Sequence, residues 1–497
     1  FFEDEIFPVR GSFLKEFCEK YKKHINLPFQ CILYPHMLSD DKLKMLKSAG
    51  LIEVSMGLQS GSQRIRNEIY DRKDRNEMIL KEKNLLTKYN VMMYYDYIIR
   101  NPWETEKDLE ETLDFVNQLK RPYYFKVYTL AYYPGHPITN RALKENRVDP
   151  KEIDGIWLGH YNGGLVSDGF ISSLALQVSP DLRFTPATRL ENACASGSAA
   201  VFAARNAIKA GTAKVTLVIG VEKMTAKDTK GVAESLMTAS YQAEEGGITF
   251  PRVFGRYADA YFQAHGDKSE ILARIAAKNH TNSVKNPLAQ MQKDVGFDFC
   301  NLVSEKNPLV APPLRLTDCS LISDGAAALI MVADDMSNDF DRAVSFKAGV
   351  QVNDFLPMSS RDILKFEGPA EAFRRAFSEA KIDVSDLDFA EVHDCFTIAE
   401  LLIYEAMGLA KPGRGSDLVL DGTVHSDGAL PINLSGGLKA KGHPVGATGV
   451  SMHALTAAQI SGEAGTLQKE GASLGCIFNM GGSGVANYCS ILENAGI

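Results

Sequence analysis

Two textures of hydrophobic and polar positions divide this chain. From residue 1 to about 147, short apolar stretches such as LIEVSMGLQ alternate with charged segments whose apolar residues recur at helical spacing, as in RNEMILKEKNLLTKY. That alternation predicts strand and helix units in succession. Beyond about residue 150 the periodic segments are built from Ala, Gly, Ser and Val, with strands such as KVTLVIG and AALIMVAD following Ala-rich helices. The change falls near KENRVDPKEID, where Asp149 and Pro150 read as a turn and Pro150, with its fixed φ, suits the first turn of a short helix. No Gly/Ser linker marks the boundary.

The second texture repeats within itself. Two halves each end in a glycine-bearing strand block, SDGAAALIMVAD and GCIFNMGGSGVANYCSIL, which predicts a duplicated α/β layer. Between them, residues 222 to 315 carry mixed helices and Pro-bearing loops, including GGITFPRVFGRYADAY and NPLVAPPLRL. Insertions of that length are usually functional. The expected domains are therefore 1–147, 148–340 with this insertion, and 341–497.

Composition narrows the class. At about 150 residues per domain, 497 residues make roughly three, and 45% hydrophobic content is ample for buried cores, so disorder is excluded. With 54 Lys and Arg against 62 Asp and Glu, the net charge of -8 offers no attraction to nucleic acid or anionic lipid. Apolar stretches are strand-length, so no membrane span is expected. The eight cysteines, Cys18, Cys31, Cys194, Cys300, Cys319, Cys395, Cys476 and Cys489, include no CxxC pair and read as free thiols of a reducing compartment, by default the cytoplasm. The opening Phe1, Phe2 and Glu3 resemble neither an initiator methionine nor a signal sequence, as expected of a chain that begins inside a gene.

Candidate chemistry gathers in four places. In ENACASGSAAVFAARNAIKAG, Cys194 precedes an Ala-rich helical pattern, where free N–H groups and the helix dipole favour a reactive thiolate. A buried inert thiol is the alternative. In GGLKAKGHPVGATG, residues 436–449, His443 lies among glycines just before a helix, free to approach a thiol or thioester as a base. Gly442 and Gly446 flank it, and Lys439 and Lys441 are either solvated or partners of an anionic ligand. In EVHDCFTIAE, at a predicted strand end, His393 and Cys395 lie two apart; acid/base use is favoured over metal binding, since no second ligand pair has zinc spacing. Asp394 between them reads as the cap of the following helix. In FNMGGSG, residues 478–484, a glycine turn lets backbone N–H groups converge on an oxyanion. Cys476 reads as core.

These motifs, NACASG, SDGAAALI, HDCF, GGLKAKGHPVGATG and NMGGSG, in this order and spacing, resemble the thiolase superfamily over residues 150–497. The likeness is greatest to sterol-carrier-protein-type thiolases, which bear HDCF where commoner thiolases bear an Asn-Glu-Ala-Phe motif. The resemblance implies an α/β thiolase fold of two duplicated halves in a layered αβαβα arrangement. It implies an acyl-CoA C-acyltransferase that forms or cleaves 3-oxoacyl-CoA by ping-pong chemistry, with coenzyme A thioesters as substrates and no cofactor or metal. Cys194 matches the nucleophile, His443 the histidine that activates it and helps bind the substrate thioester oxygen, His393 an oxyanion-supporting position and Cys395 the acid/base thiol. The N–H groups of Cys194 and Gly481 match a second oxyanion hole, and Asn479, Gly442 and Gly446 fall in the oxyanion and substrate-binding motifs. Commoner thiolases carry their acid/base cysteine where Asn479 stands here, so Cys395 has to supply that function. A homodimer or tetramer is implied, with a loop domain formed by residues 222–315, and some relatives work with a small zinc-ribbon and OB-fold partner.

Thiolases begin with a strand, a glycine turn and a helix that have no equivalent ahead of Ile153. With that strand placed centrally in the first sheet, its loss would leave buried N–H and C=O groups unpaired. Other readings are a decarboxylating ketoacyl synthase, whose Cys-His-His or Cys-His-Asn sets fit HDCF and GHP poorly, and a non-catalytic condensing-type subunit. Malonyl against acetyl donors, and the presence of an acyl-cysteine adduct, separate them.

The first 147 residues have a resemblance of their own. FFEDEIF, LIEVSMGLQSGS, YDYIIRNPWETEKDLEET and YYPGHPITNRAL are similar to the later half of a radical S-adenosylmethionine barrel of the kind that follows a cobalamin-binding domain. In that family a CxxxCxxC loop ligates a [4Fe-4S] cluster, and Cys18 and Cys31 do not have this spacing. Neither the cluster, nor S-adenosylmethionine as cofactor, nor radical chemistry is expected.

Overall fold

The computed structural model describes residues 7–9, 11–34, 37–99, 101, 103–119, 121–129, 150–340 and 343–495. FFEDEI at the start, YYPGHPITNRAL and Asp149 lie outside the described residues. The chain divides into two units, Phe1–Glu145 and Asn146–Ile497.

The first unit steps through α1 (Gly11–His24), β1 (Phe29–Ile32), α2 (Asp40–Ala49), β2 (Leu51–Gln59), α3 (Asn76–Lys88), β3 (Met92–Ile99), α4 (Glu106–Gln118) and β4 (Tyr124–Thr129). All strand pairs are parallel, in the order β1-β2-β3-β4. Parallel neighbours need crossovers, and the predicted helices supply them. Helix α2 shows how the sequence sets the boundaries: Ser39 accepts from the Lys42 N–H at its start, and Gly50 ends it at φ 113°. Cys18 and Cys31 are buried in this core, and burial pushes the Cys31 thiol up to about 12.

The second unit holds two mixed sheets. In the first, β5 (Gly155–Gly159), β6 (Ala187–Leu190), β7 (Val215–Glu222) and β8 (Gly325–Val332) lie in the order β8-β7-β5-β6, with only β8 antiparallel to its neighbour. In the second, β9 (Val344–Asn353), β10 (Phe389–Val392), β11 (Leu474–Gly481) and β12 (Ala486–Asn494) lie in the order β9-β12-β11-β10. There β12 runs antiparallel to both neighbours and β11 parallel to β10. A parallel bridge from Ala390 to Ile432 extends that sheet beyond β10. Superposing the two orders pairs β8 with β12, β7 with β11, β5 with β10 and β6 with the Ile432 segment. The duplication expected from the sequence is thus present.

That match also shows which position of the first sheet has no strand among the described residues. The counterpart of β9 would lie at the sheet edge beside β8, not at its centre, and among the described residues no strand pairs with that edge of β8. The expected buried, unpaired interior does not arise, because β5, β6 and β7 satisfy one another. The cost falls on an edge: β8 alternates between partly and well exposed residues, whereas β12 is buried over Ala486–Leu492.

Between the sheets, α5 (Ser196–Lys209) packs on α11 (Val445–Ile460). The helices meet through glycines: a Cβ on Gly197 would lie 2.8 Å from Gly446 O and 2.9 Å from Gly449 N. This close crossing brings the N-termini of both helices, and so Cys194 and His443, to one place. The segment between β7 and β8 contains α6 (Phe250–His265) and α7 (Ser269–Val284). Helix α8 (Glu367–Ala380) covers β9 and β12.

Candidate active site

Four chain turns meet at one apolar cavity of about 210 Å³. Cys194 stands just ahead of α5, Cys395 between β10 and α9 (Thr397–Ala406), His443 just ahead of α11, and Gly482 in the turn after β11. All four line the cavity, together with Met224, Leu236, Phe250 and Phe254. The side chains that the sequence places 50 to 250 residues apart are therefore brought together.

His393 lies beside them, fully buried. A ring nitrogen of His393, one of His443 and the Cys194 sulfur all lie within 4.8 Å of one another. The two imidazoles meet edge-on, and the Nε2 atom of each has no hydrogen-bond partner among the described residues. Their Nδ1 atoms are engaged. His443 Nδ1 is 2.7 Å from Thr448 Oγ1, and Thr448 donates its own proton to Pro444 O at 3.1 Å. Nδ1 must then be the donor, which leaves the lone pair of His443 at Nε2, the position a general base needs.

Electrostatics correct the thiolate expectation. Burial raises the Cys194 thiol to about 12, and the N–H groups of Gly482 and of Cys194 itself offset this only in part. The resting sulfur is neutral despite its place at a helix start, because desolvation outweighs the dipole. Burial, then Lys441, lowers His443 to about 3, so it too is neutral and able to take the thiol proton. Burial also holds Cys395 well above the usual thiol range, with Cys194 and Asp394 adding to the rise. Cys395 is accordingly a proton donor at rest.

Several other expectations change. Gly482, not Gly481, lines the cavity and directs its N–H at the Cys194 sulfur; Gly481 pairs with Ala486 in the β11–β12 ladder. Asn479 does not reach the cavity but lies wholly buried behind it, touching His393, Cys194 and Ser198. Gly442 and Gly446 are close-packing positions outside the cavity lining: a Cβ on Gly442, at φ 114°, would lie 2.9 Å from Ser323 Oγ, and the Gly446 N–H donates to Glu222. Lys439 and Lys441 are buried, not solvated, and their ammonium groups donate to Cys319 O and Ser451 Oγ. Asp394 does not cap its own helix. Its carboxylate accepts from the Leu438 and Lys439 N–H groups, capping the short helix α10 (Gly437–Ala440) and so tying HDCF to the GHP loop. Cys476 is core, as expected, its sulfur 3.9 Å from that of Cys489. Cys319, which the sequence did not single out, also lines the cavity.

The sequence relatives agree with this geometry. The family described as "Thiolase, N-terminal domain" matches residues 135–335, and "Thiolase C-terminal domain-like" matches 350–494. A protein named acetyl-CoA acetyltransferase from Methanothermobacter thermautotrophicus is 38% identical over 348 residues, 69% of this chain and 89% of that protein. The chain belongs to the thiolase family. Human sterol carrier protein 2 is 33% identical over 360 residues, 69% of this chain but 64% of its own length. A solved Ltp2-ChsH2(DUF35) aldolase has a TM-score of 0.60 at 18% identity, covering 72% of this chain and 91% of that one. That likeness, shared at a TM-score of 0.55 and 16% identity with human mitochondrial 3-ketoacyl-CoA thiolase over 72% of this chain and 91% of that one, is one of fold and extends no further. Among the described residues of this thiolase no helix is long and apolar enough to cross a membrane.

Proposed function

We propose that this thiolase is an acyl-CoA C-acyltransferase that makes or cleaves 3-oxoacyl-CoA through an acyl group carried on Cys194. The observation that supports it is the single cavity shared by Cys194, Cys395 and His443, with His393 beside it. In cleavage, His443 Nε2 takes the Cys194 proton while the sulfur adds to the 3-oxo carbon. The Cα–Cβ bond then breaks, the electron pair passes to the acetyl-CoA enolate, and Cys395 gives that carbon its proton. Coenzyme A then attacks the acyl-cysteine, its thiol proton passes to the Cys395 thiolate, and the Cys194 sulfur leaves as His443 returns the proton it took. The His393 N–H and the N–H groups of Cys194 and Gly482 stabilise the oxygens that turn negative.

The cavity favours an apolar acyl chain. An apolar cavity of roughly 150 Å³ accepts a benzene-sized molecule, so about 210 Å³ has room for an acyl group larger than acetyl. Thiolysis measured over 3-oxoacyl-CoA esters of increasing length tests this, with trapping of acylated Cys194 by mass spectrometry. Turnover without an adduct on Cys194 would overturn the assignment.

Oligomerisation through sheet edges, a zinc-ribbon and OB-fold partner and a cytoplasmic location belong to the same proposal; free thiols support the last. The first unit, a run of parallel strands in sequential order, is read as part of a radical S-adenosylmethionine barrel that lacks its cluster motif.

A further inference from the structure

We propose that Asn479 is a positioning residue that makes His393 a hydrogen-bond donor at Nε2, so that the two imidazoles beside Cys194 perform opposite tasks. The inference rests on the reading of Cys194 as nucleophile and adds the device that divides the labour around it.

The orientation of the Asn479 amide is fixed by its neighbours. Its nitrogen lies 3.3 Å from the Cys194 carbonyl oxygen, which only accepts, and its oxygen takes the Ser198 hydroxyl at 2.8 Å. The same nitrogen lies 2.8 Å from His393 Nδ1 and donates to it. A neutral imidazole that accepts at Nδ1 carries its proton at Nε2. Burial, then His443 and Lys441, pushes His393 well below the ordinary histidine range, so the ring is neutral and the tautomer is decided by this one bond.

His443 is set the other way. Thr448 takes the Nδ1 proton of His443 and leaves its Nε2 bare, whereas Asn479 supplies a proton to His393 Nδ1 and leaves its Nε2 protonated. One ring is then a base for the thiol and the other an electrophile for the substrate oxygen. The assignment also makes a cation an unfavourable guest for Cys194, His393 and His443, although their ligand atoms lie within 4.8 Å of one another. A metal needs the lone pair at His393 Nε2, and obtaining it would set an Nδ1 proton against the Asn479 amide protons.

Asn479→Asp reverses the bond, because a carboxylate accepts the Nδ1 proton and frees Nε2. Cobalt(II) alone, added to the wild-type enzyme and to N479D, is expected to bind N479D at least about tenfold more tightly, with a thiolate absorption band that C194A abolishes. Equal affinity in the two would overturn the proposal. Histidine-labelled wild-type enzyme gives a second reading that needs no variant to fold. Its ¹⁵N spectrum, with His393 assigned by its loss in H393Q, should show Nε2 protonated and Nδ1 bare; the opposite pattern would overturn it. Asn479→Ala is expected to lower kcat about 10²-fold with KM little changed, while the rate of iodoacetamide alkylation of Cys194 is kept. Loss of alkylation together with kcat would instead assign Asn479 to the packing of Cys194. If wild-type enzyme shows no thiolysis, the functional reading fails, yet the cobalt and ¹⁵N results still decide the tautomer.

Discussion

The imidazole of His393 stands edge-on to that of His443, ring centroids 5.0 Å apart and planes at 85°. One ring follows β10 and the other precedes α11, so the pair spans the seam between two motifs. If His443 is the base and His393 the donor, their removal should differ in kind. His443→Ala should lower both turnover and the alkylation of Cys194 by iodoacetamide. His393→Ala should lower kcat about 10²–10³-fold, as loss of an oxyanion donor does, and leave alkylation near the wild-type rate. Equal losses of alkylation in both variants would contradict the division.

The pH dependence of the thiol follows from burial. With Cys194 raised to about 12 and His443 lowered to about 3, neither group changes charge near neutrality in the free enzyme. Alkylation by iodoacetamide should keep rising with pH through pH 9, since the thiolate fraction grows until the raised value is reached, and acyl-CoA should protect. A plateau already at pH 7 would mean a preformed thiolate–imidazolium pair.

Much of this was legible in the sequence for a physical reason: small residues recur wherever backbones must approach. NACASG and GGLKAKGHPVGATG announced Cys194 and His443 because the α5–α11 crossing tolerates no side chain at Gly197. The duplication was legible as two glycine-bearing strand blocks. What was not legible depends on contacts between distant segments. Nothing local says that Asp394 caps α10 some 44 residues away, or that Asn479 turns from the cavity to His393. The choice of Gly482 over Gly481 is a matter of which peptide faces inward at the end of β11, and both residues read alike. That the strand expected of the first sheet belongs at an edge needed the second sheet for comparison.

Cavity shape predicts specificity. Leu236 lines the apolar cavity near Cys194. Leu236→Trp should fill space that a long acyl chain uses, lowering kcat/KM for a 3-oxooctanoyl thioester roughly tenfold or more while acetoacetyl-CoA is little affected. An equal loss for both substrates would place the chain elsewhere.

Acid/base transfer by Cys395 has a direct isotopic consequence. Its thiol, protonated at rest, is the group placed to exchange a proton with the α-carbon of acetyl-CoA. Cys395→Ala should lower kcat about 10²–10⁴-fold and abolish exchange of the acetyl-CoA methyl protons with deuterated water, while acylation of Cys194 by acetyl-CoA persists. Persistent exchange in the variant would transfer the role to another group.

Stability of the site rests on a buried ion pair. Lys278 Nζ lies 2.7 Å from Glu400, with both side chains at most 1% exposed, and also donates to Ile432 O. Asn279 joins Glu400 to Asp394, whose carboxylate in turn holds α10 and the approach to His443. Lys278→Met should destabilise the second unit by about 3–5 kcal/mol, because it leaves buried carboxylate without its cation. The loss should depend on pH. Burial, then Glu400, already raises Asp394, and Lys278 is one of the groups that holds it down, so removing the lysine raises it further. A carboxyl whose folded value lies above its unfolded one contributes stability fully below the unfolded value and loses it as pH rises through the folded one. The urea midpoint of Lys278→Met relative to wild type should therefore fall more at pH 8 than at pH 5; a deficit that is larger at pH 5 would show that Asp394 is held down by other groups.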